Sequence, residues 1–161
     1  MKILTLLSSL EKIEVEMAAL YEWFSAVFKQ DAEASGLFFR MSMQEKSHAN
    51  LIRYGKKLVH RSPIDSSEVD FDPATIEQLR LAIREARAND QSPTLEQAIS
   101  LALDLEDSPA ETAHRSILMH ANPELVGVIR NLATADEEHM AGLLAFAKRR
   151  GIVLDRRSIA S

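Results

Sequence analysis

Two pairs of residues in this sequence have the spacing of metal ligands on a helix. Glu45 precedes His48 by three positions, and Asp136 precedes His139 by three. Residues three apart lie on one face of an α-helix, so each pair can present a carboxylate oxygen and an imidazole nitrogen in one direction. Iron, manganese and zinc all accept these donors. Each pair is therefore a candidate for holding one divalent metal ion.

Acidic residues also occupy the apolar faces of four predicted helices. On a helical wheel, the residue in the middle of each apolar stripe is Glu14, Glu45, Glu106 or Asp136. Burying unpaired carboxylates is costly, and no Lys or Arg lies at the centre of any of these stripes. Two divalent cations would neutralise four such acids. The predicted metal ligands are Glu14, Glu45, His48, Glu106, Asp136 and His139.

A third pair with the same spacing shows that the motif alone is weak. Glu111 precedes His114 by three, but on the wheel Glu111 falls on the polar side of its helix. We therefore interpret Glu111 as solvated and leave this pair out of the site. Tyr21 lies two turns after Glu14 on the same face, so its hydroxyl could reach a site carboxylate. A plain core position for Tyr21 is an equally weighted alternative.

The candidate ligands repeat along the chain. Glu45 and Asp136 are 91 positions apart, and so are His48 and His139, while Glu14 and Glu106 are 92 positions apart. This pattern indicates two copies of one helical hairpin. Each copy would give one acid from its first helix and an acid with a histidine from its second. Such a repeat suits a dinuclear centre with approximate two-fold symmetry.

Prolines and capping residues divide the chain into helices. Pro73, Pro93 and Pro123 each follow an Asp, Ser or Asn that can cap a helix whose first residue is proline. With the apolar period, this predicts helices at about 2–30, 32–60, 73–89, 93–120 and 123–150. Pro109 falls inside the fourth of these. Because the apolar period continues past Pro109, we expect a kink there rather than a break. The alternative is that Ser108 and Pro109 end one helix and start another, with Ser108 as the N-cap.

The connections between these helices predict the topology. The first two long helices, and the last two, are joined by tight turns, so each pair should form an antiparallel hairpin. The connection over 61–92 is long enough to cross the molecule and contains the short helix. We therefore expect an all-α fold in a single domain over residues 1–161. It would be a four-helix bundle built from hairpins at about 2–60 and 93–150, joined by one long crossover.

Composition excludes several classes of function. The 161 residues include no cysteine, which rules out thiolate zinc sites, iron–sulfur clusters and cysteine nucleophiles. A net charge of -5 argues against nucleic acid as a partner. No apolar run approaches the roughly 18 residues of a membrane span. The apolar N-terminus lacks a small-residue cleavage site, so we interpret it as the start of a helix and expect a cytoplasmic protein.

The combined pattern resembles the ferritin-like superfamily, and within it the rubrerythrin-type di-iron carboxylate proteins. The matching segments are IEVEMAALY with Glu14 and Tyr21, EKSH with Glu45 and His48, LDLED with Glu106, and DEEH with Asp136 and His139. The resemblance extends from the first long helix to the last. It implies a ferritin-like bundle with a carboxylate-bridged di-iron centre that reacts with hydrogen peroxide or dioxygen. It also implies an external electron donor and a homodimer.

The sequence departs from that family in three places. Asp136 stands where the family usually has Glu, which shortens the side chain by one methylene. Pro109 occupies the place of an extra carboxylate that rubrerythrins carry after the ligand of the third long helix. No CxxC pair is present, so the rubredoxin-like electron-transfer domain is missing.

Three functions remain open at the level of sequence. The first is a di-iron oxidoreductase that acts on peroxide or dioxygen. The second is iron storage or ferroxidation, which needs a hollow shell of many subunits. The third is a structural metal site without catalysis. Two iron ions are the expected cofactor, but the same ligands accept manganese or zinc.

Overall fold

Five helices make up the regular structure of the part of the chain that can be described. The computed structural model describes residues 1–60, 68–88, 91–108 and 125–154, without the side chains of residues 133, 135 and 136. The helices are α1 (Ile3–Val27), α2 (Ala32–His60), α3 (Pro73–Ala88), α4 (Leu95–Glu106) and α5 (Val126–Arg149). Within those ranges the only β pairing is an isolated bridge between Lys2 and Glu68. The expected all-α class is confirmed.

The tight turn between α1 and α2 makes them an antiparallel hairpin. The Asp31 carboxylate accepts a hydrogen bond from the backbone N–H of Ala34 and so caps the start of α2. Near the turn, Ser25 and Ser35 exchange hydrogen bonds through their hydroxyls and carbonyls. Toward the other end, the Glu11 carboxylate on α1 accepts a hydrogen bond from Lys56 on α2. Residue numbers rise on α2 as they fall on α1, which places Glu14 level with the middle of α2.

Helix α5 packs against both α2 and α4. Its C-terminal Arg149 donates to Glu33 at the start of α2, at 2.8 Å, and Arg150 pairs with Asp31. The end of α5 therefore lies beside the beginning of α2, so these two helices are antiparallel as well. Basic residues in a last turn also interact favourably with the helix dipole. This arrangement brings the middle of α5, which carries His139, level with the middle of α2.

The end of α5 is fixed by a glycine in the left-handed region. Gly151 has φ +63°, a conformation that costs other L-residues energy. Its N–H bonds to the carbonyl of Lys148, and the N–H of Ile152 bonds to the carbonyl of Ala147. This pair of bonds is the Schellman motif. The predicted end near Gly151 is confirmed.

Helix α4 is shorter than the helix predicted over 93–120. It begins at Leu95 because Thr94 forms a capping box with Gln97, in which each side chain bonds the backbone N–H of the other residue. It ends at Glu106, and Ser108 is no longer helical. The prediction of an unbroken helix across Ser108 is therefore wrong. The expected kink at Pro109 lies outside the described residues, as do Glu111 and His114.

The physical reason for the early end is visible in the last carbonyl groups. A proline at position 109 has no N–H to donate to the carbonyl of Leu105, as a continuing helix would require. Instead the N–H of Ser108 donates to that carbonyl, at 3.2 Å. The N–H of Asp107 donates to the carbonyl of Leu103. On the helical wheel the apolar period continues past Pro109. The backbone hydrogen bonds nevertheless end α4 at Glu106, about one turn before that proline.

The other boundaries agree with the sequence to within a few residues. Helix α2 spans the predicted 32–60, and α3 begins at Pro73 as expected, with the Asp72 carboxylate accepting from the N–H of Ala74. Helix α1 stops at Val27 rather than near 30. The last helix begins at Val126 rather than at 123, and the region of Pro123 is outside the described ranges.

An aromatic cluster lies in the core at the C-terminal end of α1. The rings of Tyr21, Phe24 and Phe38 are fully buried, and the centroids of Phe24 and Phe38 are 5.0 Å apart in an edge-to-face arrangement. Phe28 stacks on Phe38 at 5.8 Å. Buried aromatic rings of this kind contribute both area and specific geometry. They fix the orientation of the Tyr21 ring, whose hydroxyl group points toward the carboxylates described below.

In the parts of the chain described above, no helix combines the length and the apolar composition needed to cross a bilayer.

Candidate metal centre

The α1–α2 hairpin brings three of the predicted ligands together. Glu14 from α1 and Glu45 and His48 from α2 are each at most 3% exposed. The Nδ1 atom of His48 lies 3.0 Å from Oε2 of Glu45 and 3.5 Å from Oε2 of Glu14. One ligand atom from each residue lies within 4.8 Å of the others. We call this group the first cluster.

A second cluster forms where α2, α4 and α5 meet. It consists of Glu45, Glu106 and His139, which are at most 5% exposed. The Nδ1 atom of His139 lies 3.2 Å from Oε1 of Glu45 and 3.6 Å from Oε2 of Glu106. The ligand atoms again lie within 4.8 Å of one another. Two buried groups of acidic residues and histidines could therefore hold metal ions.

Glu45 belongs to both clusters and places one oxygen in each. Its Oε2 atom faces His48, and its Oε1 atom faces His139. The two imidazole rings are nearly parallel, with centroids 5.2 Å apart and planes at 23°. A carboxylate between two ligand sets is in the position of a bridging ligand. This differs from the division expected from sequence, in which each acid–histidine pair holds one metal ion of its own.

Glu106 is held in place by a tyrosine from α1. The Tyr21 hydroxyl donates a hydrogen bond to Oε1 of Glu106 at 2.7 Å, and both residues are buried. Of the two alternatives that the sequence left open for Tyr21, the structure shows the hydrogen bond to a cluster carboxylate. Glu106 is also the last residue of α4, so the end of the helix falls at the ligand itself. Outer partners of this kind orient a ligand and set which of its oxygens is free.

Several polar atoms in the second cluster have no hydrogen-bond partner among the described residues. They are Oε1 of Glu45 and both ring nitrogens of His139. The 3.2 Å contact between Oε1 and Nδ1 thus brings the two atoms together without hydrogen-bond geometry. Buried polar atoms without partners cost free energy, so native proteins rarely leave them unused. Coordination of a cation would satisfy Oε1 of Glu45 and one ring nitrogen of His139.

The charges in the clusters shift the pKa values of three ligands. Burial raises the pKa of Glu106, and the charge of Glu45 raises it further. The contacts with His139 and Tyr21 lower this pKa but do not cancel the rise. Burial alone would raise the pKa of Glu45, but contacts with His139, His48 and Glu14 hold that pKa well below its usual range. Burial would lower the pKa of His139, but the Glu106 and Glu45 carboxylates raise it to about 10.

The raised pKa makes His139 the cationic group of the second cluster at neutral pH. His139 is charged and lies between two carboxylates, which partly compensates the buried negative charge. A metal ion bound by the imidazole nitrogen must displace this proton, because only the neutral imidazole is a ligand.

Five of the six predicted ligands are thus brought together. Asp136 lies on α5 one turn before His139, and its side chain lies outside the described part of the structure. Sequence reasoning did not single out Ser42, which is buried on α2 one turn before Glu45 and whose hydroxyl has no hydrogen-bond partner among the described residues. A serine on the flank of an apolar stripe has no chemical signature by which a sequence could identify it.

Comparisons of this chain with protein-family models, with curated proteins and with solved structures give no match.

Proposed function

We propose that this protein binds two divalent metal ions, iron in the native state, and acts as a di-iron oxidoreductase on hydrogen peroxide or dioxygen. The observation that carries the proposal is Glu45, whose two oxygens face two different histidines, each beside a further buried carboxylate. A structural core has no need of this arrangement, because the buried acids and unbonded nitrogens would destabilise it. The donor set suits two divalent cations.

We further propose that α1, α2, α4 and α5 form a ferritin-like four-helix bundle of the rubrerythrin type, with α3 in the crossover. Three features support this arrangement: the antiparallel α1–α2 hairpin, the antiparallel contact of α2 with α5, and the Tyr21–Glu106 bond that links α1 to α4. Each of these four helices also carries one of the acids that the sequence placed on an apolar face. Bundles of this class build metal sites from inward-facing side chains.

Charge balance favours two ions over one. Glu14, Glu45 and Glu106 with Asp136 would carry four negative charges when ionised, which two divalent cations neutralise. The first cluster would hold one ion through Glu14, Glu45 and His48. The second would hold the other through Glu45, Glu106 and His139. A pair of iron ions, when bound, supplies the two electrons that reduction of a peroxide requires.

The protein's own residues position and insulate the site. The Tyr21 hydroxyl orients Glu106, and the aromatic cluster behind it excludes water from that side. His139 supplies a neutral nitrogen donor once its proton is displaced, and the His48 imidazole supplies the second nitrogen donor. The proposal assigns the supply of reducing electrons to an external carrier.

Metal analysis after loading with iron under anaerobic conditions tests the binding half of the proposal. We expect about two ions per chain, removable by a chelator. Addition of hydrogen peroxide to that sample tests the oxidoreductase half, and we expect the absorption of an oxo-bridged diferric pair to develop. Bound iron that peroxide does not oxidise would support a structural site. A particle of many subunits, measured by light scattering, would support storage instead of a dimeric oxidoreductase.

A further inference from the structure

A cleft between α2 and α5 connects the second cluster with the solvent. Its volume is about 270 Å³, and its lining includes Met41 and Gln44 from α2 and His139 and Gly142 from α5. His139 is itself only 3% exposed, and neither of its ring nitrogens is hydrogen-bonded to a described residue. The cleft therefore reaches a buried residue of the second cluster. Two larger clefts beside α1 are lined by none of the five cluster residues.

The charges that line this cleft favour a negative ligand. Arg40 lies on its lining and makes no hydrogen bond or ion pair with any other described residue. Arg149 also lines it and pairs with Glu33, while Glu138 contributes one carboxylate. The lining thus carries two cationic side chains and one acidic side chain. A guanidinium on the lining of a cleft, with no partner among the residues that the structure describes, raises the local concentration of small anions.

We propose that this cleft is the passage through which small anions reach a metal ion held by Glu45, Glu106 and His139, and that Arg40 attracts them. This inference rests on the proposed metal site. It goes further by naming the side of the protein from which small ligands reach the metal ion. The volume is sufficient for a small anion with part of its hydration shell, because a water molecule occupies about 30 Å³ in the liquid. Azide is a suitable probe, being small, anionic and a ligand of transition metals.

Gly142 offers a way to close the passage without changing a ligand. A Cβ atom added at this position meets no heavy atom within 4 Å, so a larger side chain would extend into open space. Gly142 lies inside a helix, where replacing glycine removes an unfavourable residue. Gly127 provides the matched control. It lies in the same helix, a Cβ atom there also meets nothing within 4 Å, and it does not line the cleft.

The experiment measures azide binding to protein loaded with Co²⁺, which reports ligand exchange through its visible absorption and needs no redox turnover. We expect Gly142→Phe to slow azide association several-fold while the cobalt content stays that of the unmodified protein. Gly142→Leu should have an intermediate effect, and Gly127→Phe should have none. Arg40→Gln should lower the association rate about two- to fivefold and weaken its dependence on salt, because one attracting charge is removed.

The possible outcomes distinguish failure of the proposed passage from failure of the metal site on which it rests. If Gly142→Phe and Gly127→Phe bind azide equally fast, solutes enter elsewhere and the passage is wrong. If the unmodified protein binds cobalt but azide does not change its spectrum, the passage is also wrong while the metal site stands. If the unmodified protein binds no cobalt, the proposed metal site fails and the passage fails with it. Circular dichroism confirms that each variant is folded.

Discussion

Oε1 of Glu45 and Nδ1 of His139 lie 3.2 Å apart on different helices, yet neither atom is hydrogen-bonded to any described residue. The other oxygen of the same carboxylate lies 3.0 Å from Nδ1 of His48. One side chain thus connects two buried histidines that belong to two ligand sets. A metal ion on each side of Glu45 would use the donor atoms that the protein alone leaves unbonded.

The shared position of Glu45 predicts that its loss affects both ions. Glu45→Gln removes the negative charge that both clusters share and replaces one of the two facing oxygens with an amide nitrogen, which is a poor ligand, so we expect bound metal to fall from about two ions per chain to fewer than one. His48→Ala removes a ligand from the first cluster only and should leave about one ion. Metal analysis after equilibrium dialysis measures both. Glu22→Gln changes a largely exposed acid that pairs with Lys46, and should retain both ions.

The Tyr21 hydroxyl predicts a local effect on the second cluster. Tyr21→Phe keeps the ring in the aromatic cluster but removes the donor to Glu106, so this ligand loses its orientation. We expect the affinity for one of the two ions to fall about tenfold, as for other outer partners of metal ligands. Chelator competition measures the change. Tyr54→Phe is the matched control, because Tyr54 is 55% exposed. Equal affinities in the two variants would contradict the positioning role of Tyr21.

The pKa of His139 predicts how the stability of the metal-free protein depends on pH. Because the pKa is raised from 6.5 in the unfolded chain to about 10, the charged imidazole stabilises the fold fully below pH 6.5. That contribution is lost as the pH rises toward 10. The raised pKa of Glu106 acts in the same direction at lower pH, from its ordinary value of 4.5 upward. The lowered pKa of Glu45 acts oppositely, and its contribution is lost only in acid.

We therefore expect the melting temperature of chelator-treated protein to fall between pH 6.5 and 10, while that of the metal-loaded protein falls less. The slope attributable to one group cannot exceed about 1.4 kcal/mol per pH unit. Thermal melts with and without chelator across this range provide the measurement. His139→Gln should flatten the curve of the metal-free protein. Identical pH profiles with and without metal would show that His139 is not a ligand.

Replacing the glycines near the two ends of α5 should change the free energy of unfolding in opposite directions. Gly151 has φ +63°, so Gly151→Ala should destabilise the protein by about 1 kcal/mol. Gly127 is exposed within the helix and has no neighbour within 4 Å of an added Cβ, so Gly127→Ala should stabilise it by about 1 kcal/mol. Urea unfolding curves measure both free energies of unfolding. A destabilising Gly127→Ala would mean that this part of α5 is not helical.

The helical pattern of the sequence was sufficient to predict which face of each helix turns inward. Glu14, Glu45 and Glu106 were placed by the wheel at the centres of apolar stripes, and all three are buried. The start of α3 followed from Asp72 and Pro73, because a capping carboxylate and a fixed φ act locally. Such features depend on neighbours in the chain, which a sequence displays directly.

Features that depend on distances between helices could not be predicted in this way. A wheel gives the direction of a side chain and not its reach, so the sharing of Glu45 between two histidines was not foreseen. The start of α4 was misplaced because Ser92 and Pro93 carry a stronger motif than Thr94 and Gln97, which form the actual cap. The end at Glu106 was missed because the apolar period continues in the sequence beyond the point where the backbone hydrogen bonds stop.

An anaerobic titration of metal-free protein with Fe²⁺, monitored by calorimetry, tests the dinuclear site most directly. We expect binding to saturate at about two ions per chain and to release protons, because the charged His139 must become neutral to coordinate. The number of protons released should fall as the pH approaches 10, where about half of the His139 side chains are already neutral in the metal-free protein. Saturation at two ions with proton release supports the site. Absence of binding, or binding that persists unchanged in Glu45→Gln, would contradict it.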